Sequence, residues 1–393
     1  MGQQLRAVTA CAALCFALPA LGQTQGVTAN EILLGSSVDL TGPVSAIGNP
    51  MKLGFEVAAD KINEAGGING RKVRVIVDDN GYDPKRAVLG VQKLTGRDNV
   101  FAVIGVLGSA ITQIVTPIVT EKGVPMLFAA APTPSVYQPL RKLSFGFLAA
   151  YDLQMVAATT YAHDTLGKRR FCMMYQDDES GEQSLAGVER KLKVYGLSIV
   201  EKTSYKRGAT DFSAQFARMR AANCDAVMLG TIVRETAGAA LERAKIGWDV
   251  PLFAPQGAVS QSVIALGKDA TEGVYGFTST LPYAMVKDRP AVMDAATRFR
   301  AKTGGQGDPD DFFFVAYSGL MLFAEAAKNA GPALTSDSLV ASLEKLKDYD
   351  TGLGNAPMTF TPDRRLGTTK VYAVQVKNGR WTLVKDMEET ATQ

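Results

Sequence analysis

Residues 101–134 read FAVIGVLGSAITQIVTPIVTEKGVPMLFAAAPTP, and this stretch decides the fold. Residues 100–104 form an apolar, β-rich run too short for an independent helix and suited to a buried strand. Gly105 and Gly108 break the run, and Ser109 opens a segment of helical apolar spacing that ends near Lys122. Gly123 stands where a helix stops, and 124–128 is the next buried strand. The pattern is a strand–turn–helix–strand unit of an open parallel sheet. Such sheets bind ligands beyond the carboxyl ends of their strands. There the Ser109 hydroxyl and the first free N–H groups of its helix offer a site for a carboxylate or other anion. No nucleophile, base or metal ligand accompanies them, so the chemistry is that of binding.

The 393 residues exceed what one hydrophobic core usually serves, and two lobes are expected. Residues 1–22 carry a single charge, Arg6, then an apolar run and a small-x-small cleavage pattern. They read as a secretory signal peptide, with Gln23 the expected mature start and a periplasmic, membrane-free protein the expected product. The apolar run is shorter than the roughly 20 residues a spanning helix needs. The formal net charge is +3, one of which leaves with Arg6. Near balance argues against nucleic acid and against a basic membrane patch. Cys172 and Cys224 remain after the leader, each in an apolar strand-like run. Two buried free thiols are the expectation, with a disulfide the alternative if their strands are adjacent.

Along the chain, strands alternate with helices. Strands are expected at 31–38 and 73–77, with helices over 49–65 and 84–94. After residue 147 the alternation restarts, with strands at 170–175, 197–204, 225–229, 250–254 and 274–278. Helices are expected between them, and three more over 290–303, 310–330 and 337–346. Short strands follow at 358–360 and 371–376, and Asn378-Gly379 turns into 381–384. Helices returning after a second α/β half imply that the chain crosses back to the first half, with several segments forming a hinge. Phe312, Phe313, Phe314 and Tyr317 sit at helical spacing and are expected in the core.

Enzyme signatures are absent. The single histidine, His163, has no nucleophile or metal ligand spaced near it and reads as a surface residue. No Cys-x-x-Cys, phosphate loop, G-x-G-x-x-G after a strand or G-x-S-x-G elbow occurs. Asp78-Asp79 and Asp177-Asp178 end strands, where carboxylates commonly cap loops or helices. No catalytic residue, metal or cofactor is expected.

Several stretches together carry a family resemblance: Asp39-Leu40-Thr41-Gly42-Pro43, the run NEAGGING at 63–70, Asp78-Asp79 with Tyr82-Asp83-Pro84, Gly123-Val124-Pro125 and Asp211-Phe212-Ser213. With the helical tail, they make the chain resemble the leucine/isoleucine/valine-binding family, the periplasmic solute-binding proteins of ABC importers. The resemblance implies the type I periplasmic binding protein fold, an α/β architecture of two doubly wound lobes joined by three crossover segments. It implies residues 27–147 and 279–355 in lobe 1, and 148–278 and 356–390 in lobe 2. It also implies a small-molecule ligand closed between the lobes of a monomer, and permease subunits that recognise the closed form.

Pocket positions carry over unevenly. Ser109, after Gly108, matches the family serine that binds a ligand carboxylate. Ala130, with Ala131 beside it, matches a backbone contact in the following loop. Pro132 stands where amino-acid binders carry a carboxylate-binding Thr, and Thr133 is the substitute next door. Gln256 replaces the Glu that pairs with a ligand ammonium. Ile47, Gly181 and Ile232 fall at or near positions that often hold tyrosines. Arg234 reads either as a partner for a carboxylate or as an exposed helix-start residue paired with a neighbouring acid. Tyr82 reads as lining the cleft or as covering a loop. A buried ammonium needs a compensating charge that Gln256 lacks. The expected ligand is therefore a small organic carboxylate, plausibly aromatic, rather than a free branched-chain amino acid. The alternatives are an amino-acid or amide binder, a ligand-sensing module of a receptor system, or an exported α/β enzyme.

Overall fold

The computed structural model describes residues 24–390; the expected leader lies outside the described residues. Strand β1 (Glu31–Val38) pairs in parallel with β2 (Lys72–Asp79) on one side and β3 (Ala102–Ile104) on the other. Strands β4 (Met126–Leu127) and β5 (Ser144–Phe145) complete a five-stranded parallel sheet in the order β2-β1-β3-β4-β5. Helices α1 (Ser45–Glu64), α2 (Pro84–Gly96) and α3 (Ser109–Glu121) connect the first four strands. Asp83 caps α2 by accepting from the Lys85 and Arg86 N–H groups, and Pro84 fills the first turn where no N–H is needed.

The second unit repeats the winding. After α4 (Tyr151–Thr160) come β6 (Phe171–Gln176), α5 (Glu179–Val194), β7 (Glu201–Tyr205), α6 (Ser213–Ala221) and β8 (Ala226–Gly230). Helix α7 (Val233–Lys245), β9 (Leu252–Pro255), α8 (Gln261–Gly267) and β10 (Tyr275–Thr278) follow. Strands β7-β6-β8-β9-β10 are parallel in that order. They repeat the second-first-third-fourth-fifth order of the first sheet. The hairpin of β11 (Lys370–Lys377) and β12 (Arg380–Glu389) adds two antiparallel strands beyond β10.

Between β10 and β11 the chain leaves the second sheet as α9 (Tyr283–Val286), α10 (Pro290–Lys302), α11 (Asp311–Asn329) and α12 (Ser336–Leu343). Helix α11 packs along α1 so closely that a methyl group on Gly54 would fall 2.3 Å from the Phe313 carbonyl oxygen. Phe313 meets Phe299 edge-on, with ring centres 5.3 Å apart, and stacks on Tyr317 at 5.5 Å, so the aromatic run is core as its spacing predicts. The connecting segments run side by side. The Gly146 N–H donates to the Arg365 carbonyl, Gly367 N–H to Gly146, and Ala356 N–H to Ser279.

Two local expectations are corrected. Residues 358–360 form no strand; Met358 makes a lone bridge to Tyr349, while Met358 and Phe360 pack in the core of the first sheet. Cys172 and Cys224 are joined in a disulfide, with Cα atoms 5.8 Å apart. The reason is strand order. Because β8 lies next to β6, with Cys172 opposite Val227, the loop entering β8 brings Cys224 onto Cys172. Sequence gives the strands but not which are neighbours.

The bridge closes a span of 52 residues that includes β7 and α6. Removing such a constraint on the unfolded chain costs about 2–4 kcal/mol. Cys224→Ala should therefore lower the urea midpoint by that amount over the slope of the transition. An unchanged midpoint would show that the covalent link adds nothing.

Candidate functional site

Each sheet has a topological switch point, between β1 and β3 in the first and between β6 and β8 in the second. Loops leaving adjacent strands in opposite directions open a crevice there. The two crevices face each other across one narrow cleft with about 510 Å³ of empty space, its mouth included. Its walls follow from the strand ends. Val44 and Ile47 come from the segment after β1, Tyr82 from the loop after β2, and Leu107, Gly108 and Ser109 from the turn after β3. Ala130 and Pro132 follow β4. Opposite them stand Ser180 after β6, Ile232 after β8, and Gln256 with Gly257 after β9. Leu148 and Tyr151 line the crossover side, and Phe312 and Val315 reach in from α11.

Ser109 is the first residue of α3, and Gly108 before it has φ 107°, a left-handed conformation that favours glycine. A methyl group there would also press to 2.9 Å from the Tyr82 ring. Helix α3 has no side-chain cap and no acidic residue in its first turn. Its first N–H groups and the positive end of its dipole are thus left for whatever enters the cleft. The Ser109 side chain is buried and lines that space. A bridge between Leu107 and Ala130 holds the two loops side by side. This corner can bind an anion.

The loop ahead of α1 is held by two aspartates. Asp39, fully buried, accepts from the Gly42 N–H at 2.5 Å and the Val44 N–H at 2.8 Å. Asp79 accepts from the Leu40 N–H at 2.8 Å and the Thr41 hydroxyl at 2.7 Å, and also from Gly81 and Arg86. Asp39 and Asp79 thus tie the loops together. Burial pushes the Asp79 carboxyl up, but Thr41, the Leu40 and Gly81 N–H groups and Arg86 outweigh it and hold the pKa at about 2.

Not every residue proposed from sequence reaches the cleft. Ser109, Gly108, Ala130, Tyr82, Ile47, Ile232 and Gln256 line it. Thr133 stands outside: its hydroxyl donates to Glu179 Oε1 at 3.1 Å, and Pro132 holds the wall. Ala131 is buried in the core of the first sheet. Gly181 lies behind the wall in the first turn of α5, where a methyl group would overlap the Gln176 carbonyl at 1.9 Å, and its neighbour Ser180 faces the cleft. Arg234 is a partly exposed helix-start residue 3.9 Å from Glu235, as the second of its two readings has it. The Gln256 amide is already engaged. Its Oε1 accepts from the Ser279 N–H at 3.1 Å and hydroxyl at 2.9 Å, and its Nε2 donates to Thr280 at 3.4 Å. Tyr151, Phe312, Val315, Val44 and Leu148 were not anticipated. Only the position of Tyr151 at a helix start after a crossover gave any signal.

Contacts across the cleft draw the two units together. Arg207, after β7, stacks on the Tyr82 ring at 4.4 Å and donates to its carbonyl at 2.9 Å. The same guanidinium pairs with Asp178 at 2.8 Å. Glu179 accepts from Thr133 and, at 3.2 Å, from Gln113 on α3. Ser262 of α8 donates to Asp310 at the start of α11 at 2.7 Å. Burial raises the Tyr82 and Tyr151 phenols well above their ordinary range, so both line the cleft as neutral hydroxyls.

Among the described residues no cluster of metal-ligating side chains occurs, and no helix is long and apolar enough to cross a membrane. His163 stacks on Tyr195 with ring centres 3.7 Å apart, away from the cleft.

Comparison with known proteins gives consistent relatives. The family model described as periplasmic binding protein matches residues 31–380. The leucine-, isoleucine-, valine-, threonine- and alanine-binding protein of Pseudomonas aeruginosa is 28% identical, over 84% of this chain and 86% of its own. A Leu/Ile/Val-binding protein homolog of Brucella abortus is 25% identical, over 87% of this chain and 90% of its own. Among solved structures, a fatty acid ABC transporter substrate-binding protein from Thermomonospora curvata superposes with TM-score 0.84 at 24% identity, covering 94% of this chain and 95% of that one. A branched-chain amino acid ABC transporter protein from Thermus thermophilus with bound valine gives TM-score 0.84 at 18% identity, covering 92% and 97%.

The pKa of Asp79 sets a pH dependence for the loop that leads into α1 and its cleft-lining Ile47. Its folded value of about 2 lies below the unfolded 3.8, so the stabilisation is complete above about pH 4 and is lost as pH falls toward 2. Acid unfolding followed by circular dichroism should show that loss, and Asp79→Asn should flatten it. An unchanged acid profile in the variant would remove Asp79 from this role.

Proposed function

The chain belongs to the periplasmic binding protein family, with the Leu/Ile/Val-binding proteins among its relatives, and we propose that its cargo is a small carboxylic acid with an apolar body and no α-ammonium group. As a member of that family it is the solute-binding component of an ABC transporter, and its relatives are carriers rather than enzymes. The leader read in residues 1–22 would deliver it to the periplasm, where permease subunits receive the loaded form.

One observation carries the ligand class. The cleft presents the uncapped start of α3 with Ser109, and no Asp or Glu side chain is among the residues that line it. A carboxylate entering there gains N–H donors and a favourable dipole end. An ammonium on the same ligand would be stripped of water beside the neutral Gln256, which has its amide engaged elsewhere. Leu107, Leu148, Ile232, Phe312 and Val315 supply the apolar surface for the rest of the molecule. The names of the relatives favour a second reading, a branched-chain amino acid. In that case the ammonium must find its acceptor among hydroxyls and backbone carbonyls, or reach the Glu235 carboxyl behind the wall.

Calorimetry separates the two. The proposal expects aromatic or aliphatic acids to bind and leucine and valine to bind far more weakly; tight binding of leucine alone would refute it. Ser109→Ala should weaken binding of the acid by about 1–3 kcal/mol, the value of a hydrogen bond to a charged group, with little effect on thermal stability. Unchanged affinity would take Ser109 out of the site.

A further inference from the structure

Behind Tyr82 and Ser180, the carboxyl edge of the second sheet carries a polar cluster for which a simple carboxylate has no use. Gln176 and Tyr205 are register partners on β6 and β7, so their side chains stand on the same face of the sheet. Glu235 lies in the first turn of α7, three residues beyond the cleft-lining Ile232. All three are buried, with exposures of 1%, 4% and 3%. Yet Gln176 Oε1, Tyr205 Oη and Glu235 Oε2 have no hydrogen-bond partner among the described residues. Buried polar atoms are nearly always paired, and each left unpaired is costly. Three in one region, on the elements that build the wall of a binding cleft, mark a place where a polar group belongs.

The cluster connects to the cleft through Tyr82, whose hydroxyl is 3.5 Å from Gln176 Nε2 and whose ring lines the cavity. The nearby Arg207 is occupied by Asp178 and the Tyr82 carbonyl. What the cluster offers is therefore two oxygen acceptors, from Gln176 and Glu235, and a phenol that donates as well as accepts. A hydroxyl matches that set, since it gives one proton and takes another. An ammonium brings donors only, so the Tyr205 proton would have to turn from the guest to Gln176 or Glu235. A second carboxylate would meet the oxygens of Gln176 and Glu235 with like polarity. Burial raises the Glu235 carboxyl above its ordinary range, which also suits a neutral partner.

We propose that Gln176, Tyr205 and Glu235 form a second polar subsite that takes a hydroxyl of the cargo, which makes the cargo a hydroxy-substituted carboxylic acid. The inference rests on the carboxylate reading of the α3 corner. The test is calorimetry on the mature chain with matched pairs: benzoate against its three monohydroxy isomers, and hexanoate against its hydroxy derivatives. At least one hydroxy acid should bind about tenfold or more tightly than its parent, and Tyr205→Phe and Glu235→Gln should erase that ratio while leaving the parent acid within about threefold. Two results would overturn the subsite: no gain from a hydroxyl in any pair, or variants that weaken parent and hydroxy acid alike. If no acid binds while leucine does, the carboxylate reading itself has failed and the subsite goes with it.

Discussion

A helix that starts in a buried cleft with no side-chain cap creates an electrostatic demand, and α3 is such a helix. Its first turn holds no acidic residue, Gly108 has no side chain to cap it, and Ser109 lines the same space. Within the protein that demand is unmet; on the proposed reading an anionic guest meets it. The rest of the architecture places this helix end. The 2-1-3-4-5 strand order opens the first sheet between β1 and β3, and the same order in the second sheet sets a matching crevice opposite. Closing one on the other removes water, which raises the worth of every hydrogen bond to the guest.

Closure depends on contacts that bypass the guest. The Arg207 guanidinium joins Tyr82 of the first unit to Asp178 of the second, and Glu179 reaches both Thr133 and Gln113. These polar contacts range from partly buried to exposed and are few. A set of such weak ties suits a solute-binding protein, which must release what it binds. Charged groups stay at the rim and on the outer side of the wall. The cleft lining is apolar apart from the α3 corner, Ser180, the neutral phenols of Tyr82 and Tyr151 and the amide of Gln256, with the polar cluster of Gln176, Tyr205 and Glu235 behind it.

Much of this was legible in the sequence because local rules dominate there. The alternation of short apolar runs with amphipathic segments gives the two α/β halves, and the glycines around 105–108 and 123 mark the ends of β3 and α3. The turn at 39–43 is readable as a turn, but its reason is spatial: Asp39 closes on its own loop, while Asp79 from the neighbouring strand holds the Leu40 and Thr41 end. The disulfide was misjudged because it depends on β8 lying beside β6, a fact of sheet order rather than of either strand. Phe312 packs in the core with its neighbours, as its spacing predicts, and also lines the cleft beside Val315 one turn on, a role its spacing alone does not reveal. Thr133 and Arg234 were attractive by residue type alone, and each has a closer partner in Glu179 and Glu235.

The account stands on the claim that the start of α3 receives an acid group. The most direct measurement is a crystal structure of the protein with the small molecule it retains from the cell, identified by mass spectrometry. The account predicts carboxylate oxygens within hydrogen-bonding distance of the Ser109 hydroxyl and the first N–H groups of α3. A guest without an anionic group, or one whose carboxylate lies against the second unit or in solvent, would contradict it.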